Sequence, residues 1–120
     1  MTPEVFFIQY LERALPAVTV VADVPDKGGE PSQDFLTVEL VGASVKDQVS
    51  VATLAIDSWS TTRAKAMDLS AEVKDVMFKA LEEPEVSFVE LNTEYNNPRL
   101  STRHPRYRTM WRVTYVSLTE

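Results

Sequence analysis

Apolar positions recur at two different spacings along the chain, which predicts both helices and strands. Between residues 5 and 15 they follow three- and four-residue steps, the period of a helix with one buried side. The preceding Thr2-Pro3-Glu4 supplies a capping hydroxyl, a proline whose missing N–H is harmless, and an acid in the first turn. We therefore predict a first helix over residues 3–14, ended by Pro16.

A second helix is predicted after Ser60-Thr61-Thr62, where Ala66, Leu69 and Val73 begin a new run at helical spacing. It should end near Leu81, before a proline. Segments rich in β-branched and aromatic residues, bounded by turn-forming residues, predict strands. These segments are residues 18–24, 35–41, 48–59, 86–95 and 107–118.

The order α-β-β-β-α-β-β predicts one α+β domain over residues 1–120, with a mostly antiparallel or mixed sheet and helices packed on one side. The segment 48–59 has apolar residues on both faces, so it should lie inside the sheet. Trp59 should close the core where this strand passes into the long helix.

The net charge of −6 is unevenly distributed. Residues 95–119 contain five arginines and no acid, which leaves seven basic and eighteen acidic residues, a net −11, in the rest of the chain. Nucleic-acid binders owe most of their affinity to surplus Lys and Arg, so the overall charge disfavours that class. A basic strip on an acidic body instead suggests complementary protein surfaces, and we take Arg99, Arg103, Arg106 and Arg108 as interface candidates.

The residues that carry common chemistry are sparse. There is no cysteine, the three glycines form no nucleotide-binding turn, and His104 is the only histidine, expected to be solvated or in an interface. No catalytic, cofactor or metal site is therefore predicted, and the chain is not expected to be an enzyme. The loop at residues 96–106, with two prolines and few apolar anchors, is expected to be a binding element that becomes ordered on a partner.

Two stretches resemble the tail terminator, or tail completion, proteins of long-tailed bacteriophages, the lambda-like tail terminator family. Val51-Ala52-Thr53-Leu54-Ala55-Ile56-Asp57-Ser58-Trp59-Ser60 runs into an alanine-rich helix, and Pro105-Arg106-Tyr107-Arg108-Thr109-Met110-Trp111-Arg112-Val113-Thr114-Tyr115-Val116 is similar to the closing strand of those proteins. With the opening helix, the order of elements matches over nearly the whole chain.

The resemblance implies a structural virion protein in the tail or neck, assembled in the host cytoplasm. It implies a ring, commonly a hexamer, at the head-proximal end of the tail. Its implied partners are other copies of itself, the major tail tube protein, the head-tail connector or head-closure protein, and double-stranded DNA passing through the lumen without sequence recognition. No cofactor and no membrane are implied.

Two alternatives stay open. Small head-closure or other neck proteins share this size, charge and oligomeric habit. A small nucleic-acid-binding module is less favoured, although Tyr107, Trp111 and Tyr115 alternate with arginines as in a stacking platform. Packing of that strand face under a helix explains the same pattern.

Overall fold

The computed structural model describes residues 1–22, 34–47, 49–98 and 104–116. Two α-helices, a short 3-10 helix and five strands make up these residues. In chain order they are α1 (Pro3–Ala14), β1 (Thr19–Val21), β2 (Phe35–Lys46), β3 (Val49–Trp59), α2 (Arg63–Phe78), the 3-10 helix Lys79–Glu82, β4 (Val86–Asn96) and β5 (Arg106–Tyr115).

The strands form a single mixed sheet in the order β1-β2-β3-β5-β4. β1 runs parallel to β2, and every other neighbouring pair is antiparallel. The α+β class and the order α-β-β-β-α-β-β are confirmed, and β3 lies in the middle of the sheet as its two apolar faces predict.

Both helices pack on the same face of the sheet, which we call the covered face. Phe7 and Leu11 of α1 and Val73 and Met77 of α2 join one core, together with sheet residues such as Trp111. The aromatic face of β5 is thus packed under a helix: the Trp111 ring meets the edge of Phe78 at 5.2 Å between centroids. This contact favours the packing explanation over a nucleic-acid stacking platform.

Side-chain caps fix where the helices begin. The Thr2 hydroxyl accepts a hydrogen bond from the Val5 N–H at 3.2 Å, and the Thr62 hydroxyl accepts one from the Lys65 N–H at 3.1 Å. Each satisfies one of the N–H groups that a first helical turn leaves without a partner. No helix among the described residues is long and apolar enough to cross a membrane.

β2 is longer than the sequence predicts. It continues to Lys46 rather than stopping at residue 41, and its second half pairs with the start of β3. The register slips by one residue between Leu40 and Gly42, which is a β-bulge. Beyond the bulge every residue of β2 is exposed, so pairing with β3, rather than burial, holds this part of the strand.

Candidate interaction surface

The sheet face opposite the helices, which we call the uncovered face, carries the arginines of β5. Side chains alternate along a strand, so Arg106, Arg108 and Arg112 lie on the side that Trp111 and Val113 do not. The helices bury their apolar sides against the other face, while Glu4 and Ala22 reach the edge of this one. The strand register places each arginine beside residues of β3 and β4, and these neighbours determine which hydrogen bonds and ion pairs it forms.

At one end of the uncovered face, Arg106 lies over an aromatic pair. Its guanidinium carbon is 4.9 Å from the centre of the Trp59 ring, and Phe35 stacks on the same ring at 5.2 Å and 11°. The Trp59 indole donates a hydrogen bond to the Thr37 hydroxyl at 3.0 Å, while Arg106 Nε donates to the Asn97 carbonyl at 2.6 Å. Arg106 is therefore held within its own chain by stacking and by hydrogen bonding.

This arrangement corrects the position predicted for Trp59. The side chain is buried as expected, with 1% of its surface exposed, but it lies outside the core beneath the helices. The reason is the two-residue period of a strand: Ile56 faces the helices, so Trp59, three residues later, faces the other way. Its packing partners are Phe35 and Arg106 instead of α2.

In the middle of the uncovered face, Arg108 forms ion pairs with acidic side chains. Its Nε and Nη2 atoms each lie 2.8 Å from one oxygen of Asp57, the two-point geometry of a guanidinium with a carboxylate, and Nη2 lies 4.0 Å from Glu39. The hydrogen bonds with Asp57 raise the pKa of Arg108 above its already high value, and Tyr95 adds to the effect. The positive charge of Arg108 is thus balanced by the carboxylate of Asp57 within the same subunit.

At the other end, Arg112 is less constrained and borders a shallow groove of about 550 Å³. Its Nη1 atom is 3.9 Å from Glu90, so the two charges attract without a direct hydrogen bond. The groove crosses the four strands β2, β3, β5 and β4. It is lined by Gly42, Ala43, Ser44, Val51, Thr53, Phe88, Arg112 and Thr114.

Of the four arginines predicted as interface residues, Arg106 and Arg108 lie together on the uncovered face, whereas Arg99 and Arg103 lie outside the described residues. The ends of their segment are tied to the sheet, because the Asn97 N–H donates to the Arg106 carbonyl at 2.9 Å. The ordering of residues 96–106 on a partner stays a prediction. His104 is 7% exposed in the subunit, so the expectation of a solvated histidine is wrong, while that of an interface histidine stays a prediction.

Residues that the sequence did not single out complete this surface. Asp57, Thr37 and Asn97 partner the arginines and Trp59, and only the strand register brings them together. Within the described ranges, no group of three or more His, Cys, Asp or Glu side chains is placed to hold a metal ion. The arrangement offers charged, aromatic and shallow apolar surface, which suits contact with another macromolecule.

Neither a protein-family model nor a curated protein matches the sequence. The fold does match a solved structure, the PVC sheath/tube terminator of an extracellular contractile injection system in its extended state, determined by cryo-electron microscopy. The TM-score is 0.62 at 13% identity, and the match covers 100% of this chain. The chain spans 58% of the length of that protein, and at this identity the similarity establishes the shared fold.

Proposed function

We propose that the chain is a tail terminator: a structural subunit that assembles with copies of itself into a ring at the end of a tail tube and stops the growth of the tube. The ring is expected to be a hexamer, and its outer surface would then receive the head-tail connector or head-closure protein. DNA passing through the lumen would be contacted without sequence recognition.

The observation that carries this proposal is the match of the whole chain to a sheath/tube terminator fold. The resemblance of residues 51–60 and 105–116 to phage tail terminators supports the same assignment independently, because it was drawn from sequence motifs rather than from the fold. The solved terminator belongs to a contractile injection system, so the proposal covers tubes of that kind as well as those of phage tails.

The surface chemistry supports a partner made of protein. Arg108 is paired with Asp57, and Arg112 has Glu90 nearby, so two of the β5 arginines carry their own counter-charges. A phosphate backbone would have to displace those acids, whereas a protein surface can complement a face of mixed charge. This observation weighs against the nucleic-acid-binding alternative.

The test is addition of the purified chain to the tube protein of its own particle while that protein polymerises. A terminator caps tube ends, so tubes should become shorter and more uniform, and electron microscopy should show a ring at one end. Gel filtration with light scattering should find the chain as an oligomer, free or on tube ends. An unchanged length distribution, with the chain in excess over tube ends, would contradict the proposal.

A further inference from the structure

Gly42 follows the β-bulge in β2, but the backbone there does not demand a glycine. Gly42 does not have a positive φ, and a Cβ atom built on it would meet no described atom within 4 Å. Glycine weakens a strand, and where it occurs in one it often marks a bulge or a site at which another backbone approaches closely. The missing side chain leaves the floor of the groove on the uncovered face open.

The groove also presents surface that its own subunit leaves unused. Phe88 is 50% exposed at one end, and the Arg112 side chain is 56% exposed with Glu90 beyond hydrogen-bonding distance. An occupant would therefore need small or apolar side chains to approach Gly42 and Phe88, and a carboxylate for Arg112.

The outward side of α2 carries these features. Its inward side is the buried run that includes Ala66, Leu69 and Val73, which faces the sheet. The outward residues, all exposed, follow at helical spacing and combine small, apolar and acidic side chains. They are Ala64, Met67, Asp68, Ala71 and Asp75.

The groove and this outward side of α2 lie on opposite sides of the subunit. The groove is on the uncovered face, whereas α2 packs on the covered face and points its outward side away from the sheet. Two different complementary patches on opposite sides allow head-to-tail contact, and such contacts close into a ring when the rotation between neighbours permits.

We propose that the groove over Gly42 receives the outward side of α2 from a second copy of the chain, with Asp68 or Asp75 pairing with Arg112. Ala71 then lies over Gly42. This inference rests on the proposed ring and names the surfaces that would build it.

The first experiment replaces Gly42 by valine. A Cβ atom at this position meets no described atom within 4 Å, and valine favours a strand, so the melting temperature of the isolated subunit should stay the same or rise. Self-association, measured by analytical ultracentrifugation, should weaken by about tenfold or more, the loss expected when a close contact is blocked. A variant that associates as tightly as the parent would overturn the proposal.

The second experiment is a charge exchange. Arg112→Glu should weaken self-association, and so should Asp68→Arg combined with Asp75→Arg, because each leaves like charges facing one another. Joining the three substitutions in one chain should restore assembly, which only a direct contact predicts. Arg13→Glu on α1 is the control: it removes an exposed ion pair with Glu83, which contributes little to stability, and it should assemble like the parent. Failure of the combined variant to assemble, while it remains folded, would count against the contact.

The outcomes separate this inference from the proposed function. If the unaltered chain forms no oligomer, alone or with tube protein, both are overturned. If it assembles and the groove variants assemble equally well, only the inference is lost. If those variants self-associate normally but no longer bind tube protein, the groove belongs to the tube, and the second-copy assignment is wrong.

Discussion

The Asp57 and Arg108 pair joins the two central strands on the uncovered face. Both are cross-strand neighbours in the register, and Asp57 is buried while Arg108 keeps part of its surface in solvent. A carboxylate buried this far needs a partner, and the two 2.8 Å contacts supply one. Arg108 therefore stabilises its own subunit, and a second protein that binds this face would contact an ion pair with no net charge.

Trp59 should be the most costly aromatic residue to remove from the uncovered face. Trp59→Ala deletes the stack with Phe35, the surface under Arg106 and the hydrogen bond to Thr37. We expect the free energy of unfolding to fall by roughly 3 to 5 kcal/mol, as for other large-to-small changes at buried sites. Urea denaturation measures this.

Trp59→Phe is the matched control. It keeps an aromatic ring for Phe35 and Arg106 but loses the indole N–H, so it should lose clearly less stability than the alanine variant. If Trp59→Ala melts within a degree or two of the parent, the stacked arrangement does not hold this end of the sheet together.

Single residues also show where sequence reasoning stops. The large apolar side chain of Trp59 predicts burial, and burial is confirmed. Its partners depend on strand register, because Phe35, Thr37 and Arg106 are far from Trp59 in the sequence and meet it only when β2, β3 and β5 align. A pattern of polar and apolar positions fixes which way a side chain faces, but not what it faces.

At the scale of elements, one hydrogen bond ties the two helices together. The Tyr10 hydroxyl in α1 donates to the Val76 carbonyl in α2. Burial raises the pKa of Tyr10 above its usual 10.0, and the charges of Glu83 and Glu82 raise it further. The hydroxyl must keep its proton to donate, so this contact depends on pH.

The contribution of Tyr10 to stability should be lost in alkali. Because the pKa is higher in the folded state, its contribution is fully present below about pH 10 and falls as pH rises through the folded pKa. Tyr10→Phe should cost about 1 kcal/mol at pH 8, the value of a typical hydrogen bond. Urea denaturation between pH 8 and 11 should show the parent and variant curves converging. A constant gap across that range would contradict the assigned bond.

The elements themselves were predictable to different degrees. The bounds of α1 agree with the prediction because a cap, a first-turn proline and regular apolar spacing act together. The extension of β2 to Lys46 was missed, since Gly42, Ala43 and Ser44 have little preference for strands. That extension exists because β3 offers a pairing edge, which no local pattern in β2 reveals.

At the scale of the whole molecule, the outward side of α2 and the β5 side of the subunit differ in the sign of the charges they carry. The outward side of α2 is acidic, whereas the arginines of residues 95–119 lie on β5 and on the segment before it. Arg106 and Arg108 are engaged within the subunit, so we expect intermolecular attraction from the basic segment to depend on Arg112 in the groove and, before β5, on Arg99 and Arg103. Those two arginines lie outside the described residues, and their interface role remains a prediction from the sequence.

Reversing Arg99 and Arg103 together to glutamate should separate assembly from folding. Charges that serve an interface contribute little to the stability of the free subunit, so the melting temperature should change little. Tails assembled with this variant should be overlong or unable to join heads, as measured by electron microscopy and particle infectivity. Arg106→Glu is not a suitable partner in this test, because it also removes the contacts with Trp59 and Asn97.

Arg13→Glu combined with Lys79→Glu gives the same change in net charge on α1 and the 3-10 helix and is the matched control. It removes the exposed ion pair between Arg13 and Glu83, which contributes little to stability. It should leave tail length normal, because a general increase in negative charge does not remove a specific basic patch. If the Arg99 and Arg103 reversal also gives infectious particles of normal length, the basic segment is solvated surface. Assembly would then have to depend on other surfaces, of which the groove over Gly42 and the outward side of α2 are the described candidates.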